Sequence, residues 1–193
     1  MLEKTDWKIA GASGLTVTVG TPEVEIEIGG SYLRLPLKQR SNGEQTMLQG
    51  GGAGVGVGLS ISIPFLNASG SLDDFPSTGL GAIHKGWAAP DGAMTIDHFK
   101  GFATVVSMSG GDIGKSTQLS SVFFTKQPIE QCLDGCSMTE IAFILVDQGL
   151  SATPSTKGLA LMMKTKAFGF FIGINVATHL AGIGADVYEY YLV

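Results

Sequence analysis

Apolar and polar residues alternate with a period of two along much of the chain, the spacing of half-buried β-strands. Leu15 to Val19 is one short run of this kind. Val24, Ile26 and Ile28 then fall on one face with Glu25 and Glu27 on the other, and after Gly29-Gly30 the alternation resumes from Ser31 to Leu37. Two such runs about a Gly-Gly pair predict a hairpin, because tight primed turns need positive φ at their central residues. In that register Glu25 or Glu27 faces Arg34 across the strands. Pro36 has no N–H for a ladder, so it ends the second strand or places it at a sheet edge.

Lys38 to Thr46 is polar and turn-like, centred on Asn42-Gly43. From Met47 to Leu72 there is no charged residue, and Gly50 to Gly58 alternates Gly with small and β-branched residues. Leu59, Ile61 and Ile63 continue that alternation with Ser60 and Ser62 until Pro64. Leu80 to Asp97 reads as a long connection or an irregular strand. Gly101 to Met108 and Gln118 to Thr125 predict two strands joined by a turn at Gly110-Gly111-Asp112. Pro128 to Glu140 starts a short helix, and Ile141 to Val146 is an apolar run of buried-strand length. Gly158 to Met163, Ala167 to Val176 and Asp186 to Val193 are further candidate strands. Nine or ten short strands with turn signals between them predict a mainly β fold: a single-domain antiparallel β-sandwich or barrel over residues 1–193, with at most one or two short helices.

Composition narrows the classes of function. The 193 residues suit one domain. Hydrophobic residues make up 44% of them and charged residues only 15%, against roughly a quarter in typical domains. Mean hydropathy is +0.27, so Ser, Thr, Asn and Gly supply much of the polar surface. Such a surface suits a protein that shields part of its exterior in an assembly or against lipid. The formal net charge is −5 and the Lys and Arg residues are scattered, which argues against a nucleic-acid partner. Cys132 and Cys136 lack a second pair of ligands for zinc. They read as reduced thiols, with a local disulfide feasible if Gly135 turns the chain back. Met1 to Trp7 lacks a basic region followed by an apolar run, so the expected location is cytoplasmic, or exported without a cleavable signal.

Catalytic motifs fail on spacing. Gly114-Lys115-Ser116 resembles the end of a phosphate-binding loop, but the position that should carry its first glycine is Ser109. Leu119, Val122, Phe123 and Phe124 then continue as a strand where a phosphate-binding helix is required. His84, Asp97 and His98 form a metal site only if their loop folds onto itself, and adjacent strand residues such as Asp97 and His98 point to opposite faces. His179 lies in an apolar stretch and suits a core or pore-facing position. Ser13 lacks the spacing of a nucleophile elbow, and Asp73-Asp74 beside Pro76 suits a turn. No metal or cofactor is implied.

Two uncharged stretches remain, residues 47–72 and 167–185. As helices they would align Gly50, Gly54 and Gly58, or Gly169 and Gly173, in the small-residue spacing of membrane helix pairs. Their glycine content and period-two pattern favour strands, either packed in a core or facing lipid. Gly50, Gly54, Val55, Val57, Gly58, Leu59, Ile61, Ile63, Phe170 and Phe171 are the candidate membrane or assembly segment. The leading expectation is a non-enzymatic β module acting through its surface. It would self-associate or meet a protein or lipid surface, as an assembly component or a membrane-interacting or pore-forming protein. One alternative is a barrel binding a small apolar ligand, suggested by Phe168, Phe170, Phe171 and Trp87. The other is an enzyme of unrecognised type whose acids or histidines are assembled by the fold.

Overall fold

The longest seam of the structure joins β3 (Ile26–Gln39) to β4 (Gln45–Gly58), antiparallel from Ile26↔Val57 to Lys38↔Gln45. The coordinates are a computed structural model, which describes residues 3–20, 26–58, 81–112, 115–133, 136, 140, 156–175 and 182–193. The β3–β4 turn contains Asn42-Gly43 as the sequence predicts, with Gly43 at φ +76°, where a side chain would be strained. On the other side of β3, β1 (Lys4–Ile9) and β2 (Ser13–Gly20) lie end to end. Trp7–Ile9 pairs with Leu37–Gln39, and Ser13–Gly20 pairs with Glu27–Arg34, so β1 and β2 form one interrupted strand.

The remaining elements are β5 (Gly81–Lys85), a 3-10 turn (Ile96–Phe99), β6 (Gly101–Asp112), β7 (Lys115–Thr125), α1 (Ile129–Cys132), α2 (Thr156–Lys164), β8 (Thr165–Asn175) and β9 (Gly182–Leu192). The strands run in the order β1-β5-β8-β7-β6-β9-β4-β3, and β3 pairs back onto β1. The molecule is therefore a closed antiparallel barrel of eight strands, the barrel alternative of the predicted mainly β class. Closure removes the exposed edges that an open sheet would leave. The end holding Trp7, the β3–β4 turn and the end of β9 is called lower here. Above the β1–β5 seam, the edge of β8 beyond Gly169 that faces away from β7 and the outer edge of β2 pair with no strand among the described residues.

Three local expectations are corrected. Gly29-Gly30 is not a turn: both residues lie inside β3, paired to Thr18 and Val17 on one side and to Gly54 and Ala53 on the other. Arg34 consequently faces Ser13 and Gln49 rather than Glu25 or Glu27, and Glu25 lies outside the described residues. Pro36 neither ends the strand nor sits at an edge. Its carbonyl accepts the N–H of Ala10 at 2.8 Å, so its missing N–H points at the break between β1 and β2, where no ladder bond is lost. Gly158–Met163 belongs to α2 and is not a strand. A short apolar run does not separate the two by periodicity alone; here Leu161 is buried while Met163 and Lys164 face solvent, as one side of a helix requires. The hairpin predicted about Gly110-Gly111-Asp112 does form, but its strands continue to Asp112↔Lys115. The apolar run 141–146 lies outside the described residues.

The lower half of the barrel is filled by large apolar side chains. Ile9, Leu35, Leu37, Leu48, Ile83, Phe99, Phe124 and Leu192 are all fully buried in one cluster. The connection after β5 folds under the barrel as a plug. Phe99 packs edge-on to Trp7 and Phe124 at 6.0 and 5.1 Å between ring centroids, and the Trp7 indole N–H donates to the Met94 carbonyl at 2.8 Å. A second cluster lies on the outer face, where α1 and α2 place Ile129, Cys132, Leu133 and Leu161 with Cys136 over Val55, Val106 and Val187 of β4, β6 and β9.

Candidate functional site

Strand β9 carries the side chains that change the character of the interior. Asp186, Tyr188, Tyr190 and Leu192 share one face by strand periodicity. They lie opposite Ser107, Val105, Ala103 and Gly101 of β6, and of these Val105, Ala103, Tyr188, Tyr190 and Leu192 belong to the interior cluster. On the other side of β9, Asp186, Tyr188 and Tyr190 lie opposite Gly56, Gly54 and Gly52 of β4. The glycines make room for the tyrosines. A Cβ on Gly52 would meet Tyr190 Cδ1 at 2.7 Å, and one on Gly54 would meet Tyr188 Cδ1 at 2.8 Å. Both rings therefore lie over bare β4 backbone, with centroids 6.3 Å apart.

Hydroxyls complete a polar layer above the apolar plug. The Tyr190 hydroxyl donates to Ser31 Oγ of β3 at 2.8 Å, and Ser107 and Ser120 of β6 and β7 share a hydrogen bond of 2.8 Å. Phe171 of β8, opposite Ser120, adds an aromatic wall. Burial pushes the Tyr190 phenol up to about 12, so it stays neutral and keeps its proton to donate. Ser107, Ser120, Tyr188 and Tyr190 are buried, whereas Ser31 and Asp186 are partly exposed. The layer thus runs from a dry interior toward solvent. At the described interior positions of this layer the charged residues are both acidic, Asp186 of β9 and Glu27 of β3, which lie opposite Gly56 of β4 from either side, with no Lys, Arg or His.

The sequence-based candidates distribute over both faces. Gly50 and Gly54 are buried, with Gly54 facing the interior; Val55 is buried beneath the helices on the outer face. Val57 and Gly58 end β4, paired with Ala185 and Gly184. Leu59, Ile61 and Ile63 lie outside the described residues, as does His179. Phe171 faces the interior, but Phe168 lies with Phe123 and His84 on the outside, Phe170 is exposed, and Trp87 projects from the turn after β5. Of the four aromatic residues suggested for a ligand, then, Phe171 alone lines the barrel. No helix is long and apolar enough to cross a membrane among the described residues.

The structure does not gather His84, Asp97 and His98 into one site. His84 stacks on Phe168 at 5.6 Å, His98 accepts the Thr95 N–H through Nδ1, and Asp97 pairs with Lys100 at 2.7 Å. Lys115 and Ser116 open strand β7, so the described residues there provide no helix N-terminus for a phosphate. Cys132 and Cys136 form no disulfide and are both buried in the outer cluster. Burial and then the neighbouring Glu189 carboxylate push the Cys132 thiol up, away from a reactive thiolate. Glu189 itself accepts the Ile129 N–H at 2.7 Å and holds the start of α1 against β9.

Sequence reasoning missed Ser31, Ser107, Ser120, Asp186, Tyr188 and Tyr190. The signal for the tyrosines was a complementary pair of strands: Tyr188 and Tyr190 alternate in β9, and every second residue from Gly50 to Gly58 of β4 is glycine. Comparison with family models, curated proteins and solved structures yields no match to the chain.

Proposed function

We propose that the barrel binds one small, mainly apolar molecule bearing hydrogen-bonding groups, held above the apolar plug against the Tyr188–Tyr190 face. The observation that carries this reading is the segregation of the interior. An eight-stranded barrel is just wide enough to be filled by its own side chains or to hold one small ligand. The lower half is filled by Trp7, Leu35, Leu37, Phe99, Phe124 and Leu192. Above it the described interior positions carry glycine, serine, two tyrosines and the acidic residues Asp186 and Glu27, with Val105 and Phe171 as apolar wall. Buried hydroxyls within apolar walls are the usual lining of small-molecule sites, where a few polar groups orient a mostly apolar ligand.

Titration with the neutral fluorophore N-phenyl-1-naphthylamine tests the reading. Saturable fluorescence enhancement is expected, and Ser107→Leu, which fills the polar layer with an apolar side chain, should weaken it roughly tenfold or more. Tyr191→Ser on the outer face should leave it unchanged. Absence of saturable binding, or equal binding by a folded Ser107→Leu protein, would overturn the assignment.

A second reading draws on the outer face beside the helices. Met47, Tyr191 and Val193 are exposed there, and Phe102 packs edge-on to Tyr191 at 5.2 Å. Exposed apolar residues grouped on adjoining strands favour contact with another surface, in keeping with a module that self-associates. Sedimentation equilibrium should show oligomers that Met47→Ser and Tyr191→Ser dissociate; a monomer at all concentrations removes this reading.

A further inference from the structure

Resting on the barrel-binding reading, we infer that the ligand is an organic amine, whose cationic nitrogen is received by Asp186 and whose apolar body lies against Tyr188, Tyr190 and Phe171. The charge balance of the lining carries the inference. Asp186 lies on the interior face of β9, opposite Ser107 and Gly56, and its partial exposure leaves it reachable from the upper end. At the described interior positions of the upper half the charged residues are Asp186 and Glu27, which lie opposite Gly56 of β4 from either side and are both acidic, so nothing described there favours a carboxylate, phosphate or sulfate. A carboxylate accepts up to about four hydrogen bonds, so a bond to a protein group still leaves room for an ammonium. The aromatic faces add to the match. A cation near a tyrosine or phenylalanine ring is attracted by its quadrupole, more strongly where water is excluded, and Tyr188, Tyr190 and Phe171 are all buried around this layer. Low dielectric strengthens the attraction between an ammonium and Asp186 and penalises an anion in the same place. Hydroxyls alone would accept alcohols, amides and amines alike; the interior carboxylate selects among them.

Three indoles of nearly equal size separate this inference from the reading beneath it: tryptamine, tryptophol and indole-3-propionate, cationic, neutral and anionic at neutral pH. Isothermal titration of the full chain should give tryptamine an affinity at least about tenfold above tryptophol, with indole-3-propionate weakest. Asp186→Asn, close in shape, should lower the tryptamine affinity toward the tryptophol level while leaving tryptophol unchanged. The wild-type ranking decides the matter even if that variant fails to fold. Equal affinities for all three, preference for indole-3-propionate, or an unaltered tryptamine preference in folded Asp186→Asn would overturn the amine assignment. So would failure of all three indoles to bind. In each case saturable N-phenyl-1-naphthylamine binding would leave the barrel reading intact, and its loss would remove both.

Discussion

Glycine at positions 52 and 54 sets how closely β9 can approach β4. A Cβ on Gly54 would lie 2.1 Å from the Val187 carbonyl oxygen, and one on Gly52 would lie 2.2 Å from that of Glu189. Neither acceptor can move without breaking the β4–β9 ladder. Gly54→Ala should therefore destabilise the protein by about 1–3 kcal/mol through overpacking, whereas Gly51→Ala should be nearly neutral, because nothing lies within 4 Å of its added methyl. Urea unfolding of the two variants checks the contrast. Tyr190 is bound to its place by Ser31 as well as by packing. A double-mutant cycle of Tyr190→Phe and Ser31→Ala should give a coupling of about 0.5–1.5 kcal/mol, the net worth of one such hydrogen bond.

At the scale of elements, Glu189 is the joint between barrel and helix layer. Its carboxylate stands in for the side-chain cap that Pro128 cannot provide to α1, and Glu189→Ala should cost about 1 kcal/mol, typical of a lost N-cap. Burial, the dominant cause, raises its carboxyl above the ordinary 4.5. The folded protein consequently holds that proton more tightly than the unfolded chain does. The resulting stabilisation is complete below 4.5 and disappears as pH rises through the raised value. Thermal melts of Glu189→Gln, which still offers Ile129 an oxygen acceptor, should show a smaller decline than wild type over that interval.

Elements were legible in the sequence wherever alternation and local turn chemistry agreed. The Asn42-Gly43 turn, the β6–β7 hairpin and the final strand follow from their own residues. Gly29-Gly30 misleads because glycine serves equally well in a turn and in a strand that must coil around a barrel, and only long-range pairing with β2 and β4 decides. Leu159 to Met163 misleads because five apolar residues fit either period. The interior site was less legible still. Ser31, Ser107, Ser120 and Tyr190 come from four strands, and no spacing along the chain brings them together.

For the whole molecule, the closed barrel divides into a packed lower half and an upper half whose described interior positions mix glycine, hydroxyls and two acidic residues with Val105 and Phe171. Helices cover part of its exterior, leaving Met47, Tyr191 and Val193 exposed on another part. If recognition takes place inside the barrel, as proposed above, this outer face is dispensable for it. Backbone amide NMR of the ¹⁵N-labelled protein during titration with N-phenyl-1-naphthylamine compares the two surfaces directly. Saturable shifts are expected to concentrate at Ser31, Ser107, Ser120, Phe171 and the Asp186–Tyr190 segment, with Met47, Phe102 and Val193 unmoved. Shifts confined to Met47, Phe102, Tyr191 and Val193, with the interior amides silent, would contradict recognition inside the barrel.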